Sequence, residues 1–65
     1  MHKREKRYIV YDIDENGLLK HPKRWGKSVF NIYGYKSEEE ALKEIDKADY
    51  RGDIIIVCSY SWFPE

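Results

Sequence analysis

The spacing of apolar positions changes along this chain, and each change marks an element. Residues 7–13, Arg7-Tyr8-Ile9-Val10-Tyr11-Asp12-Ile13, are dominated by β-branched and aromatic side chains and predict a strand. Asp14-Glu15-Asn16-Gly17 follows. Asn-Gly tolerates positive φ at both centres of a type I′ turn, so Leu18-Leu19-Lys20 is expected to run back as a short second strand. Lys20 to Lys27 contains Pro22 and Gly26 among cationic residues and reads as a loop, with Trp25 anchored against the core edge. Ser28 to Tyr33 resumes strand character up to Gly34.

The clearest local signal is Ser37-Glu38-Glu39-Glu40, a capping box with Ser37 as N-cap and acids in the first turn. It predicts a helix from about Glu38 to Ala48. Ala41, Leu42, Ile45 and Ala48 form one narrow apolar stripe on it, while Glu39, Lys43, Glu44 and Lys47 face water. Ile54-Ile55-Ile56-Val57-Cys58 is an unbroken apolar run, the pattern of a strand covered on both faces. Cys58 inside it is expected to be buried. The chain continues through Tyr60, Trp62 and Phe63 to Pro64, which lacks the donor needed for further pairing.

The expected fold is therefore α+β, with a small three- to four-stranded antiparallel or mixed sheet in the order β-(β)-β-α-β. One helix packs on one face. Residues 1–65 are read as a single domain, with 1–6 as a frayed basic arm. A lone helix leaves the second sheet face bare, and that face is too apolar to stay so. Its cover would be the loop with Trp25, the tail with Trp62 and Phe63, or a second copy of the chain. In the last case Ile55, Val57 or an aromatic neighbour would be protected across an interface.

Composition sharpens that expectation. A chain of 65 residues buries only about 60% of the surface that its unfolded state exposes, so small domains need a supplement to the core. Cys58 is the only cysteine, which removes an internal disulfide and a cysteine-rich metal site from the candidates. Ten aromatic residues remain as a packing resource. No run approaches a membrane span, and the charged start does not read as a secretory leader. The expectation is a cytoplasmic protein with no membrane partner and with Cys58 reduced. Twelve basic and twelve acidic residues give zero net charge. They are split unevenly: residues 1–27 hold eight Lys/Arg against four Asp/Glu, and residues 28–65 the reverse.

Candidate chemistry is sparse. Asp12-Ile13-Asp14-Glu15-Asn16-Gly17 matches the opening of an EF-hand loop, but position twelve would be Lys23 in place of the bidentate glutamate, and a strand precedes it. The hairpin reading is preferred over calcium. Asp12-x-Asp14 after an apolar strand also resembles the first motif of haloacid-dehalogenase-like phosphatases, which would make Asp12 the nucleophile and Asp14 the acid/base. Such a site needs further motifs on a doubly wound sheet, which a chain of this length with one helix does not build. His2 and His21 lie in an arm and a loop, and Cys58 lies in an apolar run, so no nucleophile–base pair stands out.

These readings favour a non-enzymatic interaction module without a cofactor, an adaptor or inhibitor of the kind carried by phages and mobile elements, self-associating as a homodimer through its apolar sheet face. Partner-binding candidates are Lys23, Arg24, Trp25, Lys27, Tyr33, Tyr35, Tyr60, Trp62 and Phe63, since Tyr and Trp dominate interface hot spots. The alternative is nucleic-acid binding by the basic loop, with a base stacked on Trp25 and phosphates on Lys23, Arg24 and Lys27. A further alternative is capture of a nucleotide-like small ligand in a tyrosine-lined cleft at a dimer interface.

Overall fold

The computed structural model describes residues 2–64, with side chains described from Lys3 to Trp62. Six elements follow in order: β1 (His2–Ile13), β2 (Leu19–Lys20), β3 (Lys23–Arg24), β4 (Lys27–Ser28), α1 (Glu38–Ala48) and β5 (Ile54–Pro64). They form a small α+β fold with a three-stranded antiparallel sheet ordered β2-β1-β5, a separate β3-β4 hairpin, and one helix.

The long strands dominate. β1 and β5 pair in unbroken register from Asp12↔Ile54 to His2↔Pro64. Residues 2–6, expected as a frayed arm, thus continue β1 alongside 60–64. The fold is elongated as a result, with extents of 38 × 25 × 20 Å.

Opposite residues of an antiparallel pair share a face. Tyr8, Val10 and Asp12 therefore stand with Ile54, Ile56 and Cys58 on one side, and Arg7, Ile9 and Tyr11 with Ile55, Val57 and Ser59 on the other. The first side carries the core. Val10, Phe30 and Ala41 are its buried centre, with Tyr8, Val29, Tyr35, Ile45, Ala48, Tyr50, Ile54 and Ile56 packed around them.

Helix α1 starts where its cap requires: the Ser37 Oγ accepts from the Glu40 amide at 3.1 Å. It stops at Asp49, which adopts a left-handed conformation. The apolar stripe is narrower than expected, because Leu42 is exposed. Only Ala41 sits fully beneath the helix, and Ile45 and Ala48 flank it.

Two turns differ from the sequence reading. The first hairpin is closed by a three-residue loop: the Gly17 amide donates to the Asp14 carbonyl and the Asp14 amide to the Leu18 carbonyl, both at 3.0 Å. Gly17 alone takes positive φ there, the type I turn plus glycine bulge, in place of a type I′ turn at Asn16-Gly17. The type I′ geometry occurs instead at Trp25-Gly26, with φ of 57° and 79°, between β3 and β4.

Residues 29–33, expected as strand, are irregular. The Asn31 side chain accepts from the Tyr33 amide at 2.9 Å and its carbonyl from the Gly34 amide at 3.0 Å, a local turn that displaces ladder pairing. Gly34 then passes directly over β1. A Cβ there would meet Ile9 Cγ1 at 2.8 Å and the Tyr8 carbonyl oxygen at 2.9 Å.

Candidate interaction surfaces

One buried polar group stands out. Asp12 is the buried acidic residue of the core side, and it accepts a short hydrogen bond from the Tyr50 hydroxyl. That bond, helped by burial and by the Asp12 charge, raises the Tyr50 pKa above the ordinary phenol range, with Arg24 acting in the opposite direction. Asp14 is engaged separately. Its Oδ1 accepts the amides of Asn16 and Leu18, both at 2.9 Å, as an Asx turn does. Of the residues that matched an EF-hand opening, Asp12 thus meets Tyr50 and Asp14 closes a turn.

The hairpin β3-β4 gathers Lys23, Arg24, Trp25 and Lys27, as the sequence suggested, but without the expected packing. Trp25 is 95% exposed at the hairpin tip, so it neither anchors nor caps the core. The reason is its position at the first centre of the turn, which points the indole away from the body. Left-handed geometry is also unfavourable for an aromatic residue. Arg24 ties the hairpin to the body, donating at 3.3 Å to the carbonyls of Ala48 and Asp49 at the negative end of α1. Two open grooves flank this contact. One, of about 360 Å³, is lined by Lys23, Arg24, Asp49, Tyr50 and Arg51, and the other, of about 450 Å³, by Arg24, Trp25, Lys27, Ser28, Val29 and Ala48.

The tyrosines separate. Tyr35 is half-buried and bridges to Tyr8, and its hydroxyl accepts the Asn31 amide at 3.1 Å. Tyr33 is exposed on the turn before it. Tyr60 and Trp62 lie on β5 beyond the packed cluster, 54% and 67% exposed. The tail therefore does not fold back over the bare sheet face; the Phe63 side chain lies outside the described residues. Cys58, expected to be buried, is exposed. β5 outruns the helix, and its partner Tyr8 marks the margin of the core.

The bare face itself is as apolar as the sequence implied. Tyr11, Ile55 and Val57 line it, extended by Ile13 and Leu19 across β2, while Ile9 on the same side is buried. Ile55 is 41% and Leu19 47% exposed. His21 reaches the Tyr11 ring, with centroids 5.2 Å apart.

A feature that sequence reasoning missed is the free edge of β5. Tyr8 exchanges both main-chain hydrogen bonds with Tyr35, at 2.8 and 2.9 Å, so its polar groups point away from β5. Bonded and non-bonded pairs alternate along an antiparallel ladder. Ile56, Cys58, Tyr60 and Trp62 consequently turn their N–H and C=O groups outward. β1 is the one neighbour of β5 among the described residues, and the 11 residues of β5 contain no charge. The contrast with β1 is sharp, since Lys3, Arg4, Glu5, Lys6 and Arg7 blunt its free stretch with charge. Uncharged β5 residues followed by Ser-Tyr-Ser-Trp alternation were the available signal for an unprotected edge.

No helix among the described residues is long and apolar enough to cross a membrane. Neither family models, curated proteins nor solved structures provide a match to the chain.

Proposed function

We propose that this protein is a non-enzymatic interaction module, an adaptor or inhibitor, that works as a homodimer formed by strand addition at the free edge of β5. The observation that carries the reading is that edge: long, uncharged, and with the outward main-chain groups of Ile56, Cys58, Tyr60 and Trp62 unclaimed by a neighbouring strand among the described residues. Extended chains recognise such edges through main-chain hydrogen bonds, and side-chain pockets add specificity.

Surface area leaves room for a partner. A folded monomer of 7.9 kDa is expected to expose roughly 4,400 Å², yet the chain exposes 5257 Å². The excess of roughly 850 Å² is close to the ~800 Å² that one partner contributes to a standard interface. A two-fold pairing of β5 with itself is closed and self-complementary and needs no charge match; it joins the two copies at their edges, in place of the face-to-face pairing expected from sequence, and leaves the face of Tyr11, Ile55 and Val57 uncovered. An intracellular, reducing setting would keep the exposed Cys58 thiol free at that edge.

The test uses proline as an edge block. Proline is tolerated on edge strands where its missing N–H faces solvent. Cys58→Pro removes an outward donor and leaves the β1 bonds in place, whereas Ser59→Pro removes a donor aimed at β1. The reading expects Cys58→Pro to fold as a monomer. A Cys58→Pro protein with the same mass as the unmodified chain would sink the edge-pairing reading.

A further inference from the structure

Beyond the packed cluster the β1-β5 ribbon carries a second surface, on the same side as α1 but past its reach. Lys6 faces Tyr60 and Arg4 faces Trp62 across the strands. The Arg4 guanidinium lies 4.3 Å from the Tyr60 ring centroid, and the Lys6 ammonium 5.6 Å from that of Tyr8. Neither Arg4 nor Lys6 forms an ion pair among the described residues, since Lys3 and Arg7 take Glu5 on the opposite face and Lys43 takes Glu39 on the helix.

We infer that this ribbon face, Arg4, Lys6, Tyr60 and Trp62, is a platform for single-stranded nucleic acid. Tyr60 and Trp62 are alternate residues of one strand, so their Cα atoms lie about 6.7 Å apart and their side chains rise from the same face. Arg4 lies against one face of the Tyr60 ring, which leaves the Trp62 ring and the other Tyr60 face for unstacked bases. Stacking of bases on sheet aromatics, with phosphates held by neighbouring Arg and Lys, is how many single-strand binders work without strong sequence preference. The cations are kept in place by their own contacts with the rings. Hydrogen bonding to the Tyr8 hydroxyl, and then the charges of Tyr8, Cys58 and Tyr60 when ionised, raise the Lys6 pKa above its ordinary value.

The observations favour a single strand over a duplex, because paired bases offer no free ring face, and over an acidic protein, because the exposed rings would then be idle. The surface lies at the opposite end of the ribbon from the Asp12–Ile54 pair, near which the Trp25 hairpin is tied to the end of α1. It is therefore distinct from the basic-loop site suggested by sequence. Pairing at the β5 edge uses main-chain groups and leaves these side chains free, so the two proposals fail independently.

The test is fluorescence anisotropy of a short labelled oligothymidylate, titrated with the full chain at several salt concentrations. Saturable binding is expected, weakened roughly 5- to 150-fold in Trp62→Ala and unchanged in Trp25→Ala. In the Arg4→Gln/Lys6→Gln double variant the logarithmic salt slope should shrink by about 0.7 per lost phosphate contact. All these side chains are exposed, and a thermal melt of each variant checks that the fold persists. Absence of binding, tighter binding of a duplex, loss in Trp25→Ala in place of Trp62→Ala, or equal competition by an acidic polypeptide would each overturn the inference.

Discussion

Replacing Gly34 with alanine probes whether the irregular segment 29–35 is locked against β1, because two separable penalties meet at that residue. Gly34 holds φ of +80°, and its hypothetical Cβ would lie 2.8 Å from Ile9 Cγ1 and 2.9 Å from the Tyr8 carbonyl oxygen. Gly17 provides an internal reference, with φ of +81° and nothing within 4 Å of a Cβ. Left-handed strain costs about 1–2 kcal/mol for a residue with a Cβ, and forced overpacking about 1–3 kcal/mol more. Gly17→Ala should therefore cost only the first amount, and Gly34→Ala the sum of about 2–5 kcal/mol. Against a total stability of roughly 3–10 kcal/mol for a chain of this size, that loss approaches the whole. Urea unfolding followed by far-ultraviolet circular dichroism, at one fixed protein concentration because association adds to apparent stability, gives both midpoints. Equal midpoints for the two variants would refute the close approach of Gly34 to Tyr8 and Ile9, and with it the placement of the segment that carries Phe30 into the core.

Further consequences follow from the same geometry. Tyr50→Phe leaves the buried Asp12 carboxylate without its hydroxyl donor and should cost about 1–3 kcal/mol. Because the folded state raises the Tyr50 pKa, the bond contributes fully below the unfolded phenol value and is lost as pH rises through the folded one. The stability gap between the unmodified chain and Tyr50→Phe should thus be constant at neutral pH and close in strong alkali as the phenol ionises; a gap that persists through that range would contradict the assignment. Trp25→Asn should relieve left-handed strain at a fully exposed site and stabilise by about 1 kcal/mol, or roughly 4–8 °C in Tm. A fall in Tm would mean that the indole packs on the body after all.

Much of the fold was legible where local chemistry decides it. Ser37 and Glu40 announce the helix start, and the β-branched runs around Ile9 and Ile55 announce the long strands. The Asn-Gly pair located the first hairpin, although Asp14, by accepting two amides, selected a three-residue loop over the two-residue form. What was not legible depends on tertiary context. Trp-Gly is not a turn signature, so the β3-β4 hairpin was hidden; it is held by Arg24 reaching the end of α1, a contact 24 residues away. Val29 to Tyr33 has strand composition, but Asn31 closes a turn there and Phe30 is drawn into the core. Cys58 looked buried because apolar runs usually are, and nothing local reveals that α1 is too short to cover the whole of β5.

The same distinction applies to the candidate surfaces. The bare apolar face was readable from strand parity and the presence of one helix. Which edge is unprotected depends on strand order, β2-β1-β5, which no local pattern specifies. Grouping Arg4 and Lys6 with Tyr60 and Trp62 depends on the register of two strands separated by half a hundred residues. Lys23, Arg24, Trp25 and Lys27 share one hairpin by adjacency alone, yet the turn geometry that exposes the indole was not legible.

The most direct test of the central claim is the solution mass of the chain by light scattering coupled to size exclusion, with Cys58→Pro run beside it. Pairing through β5 predicts twice the chain mass for the unmodified protein and a folded monomer for the variant. A folded monomer at high concentration without the substitution would contradict it.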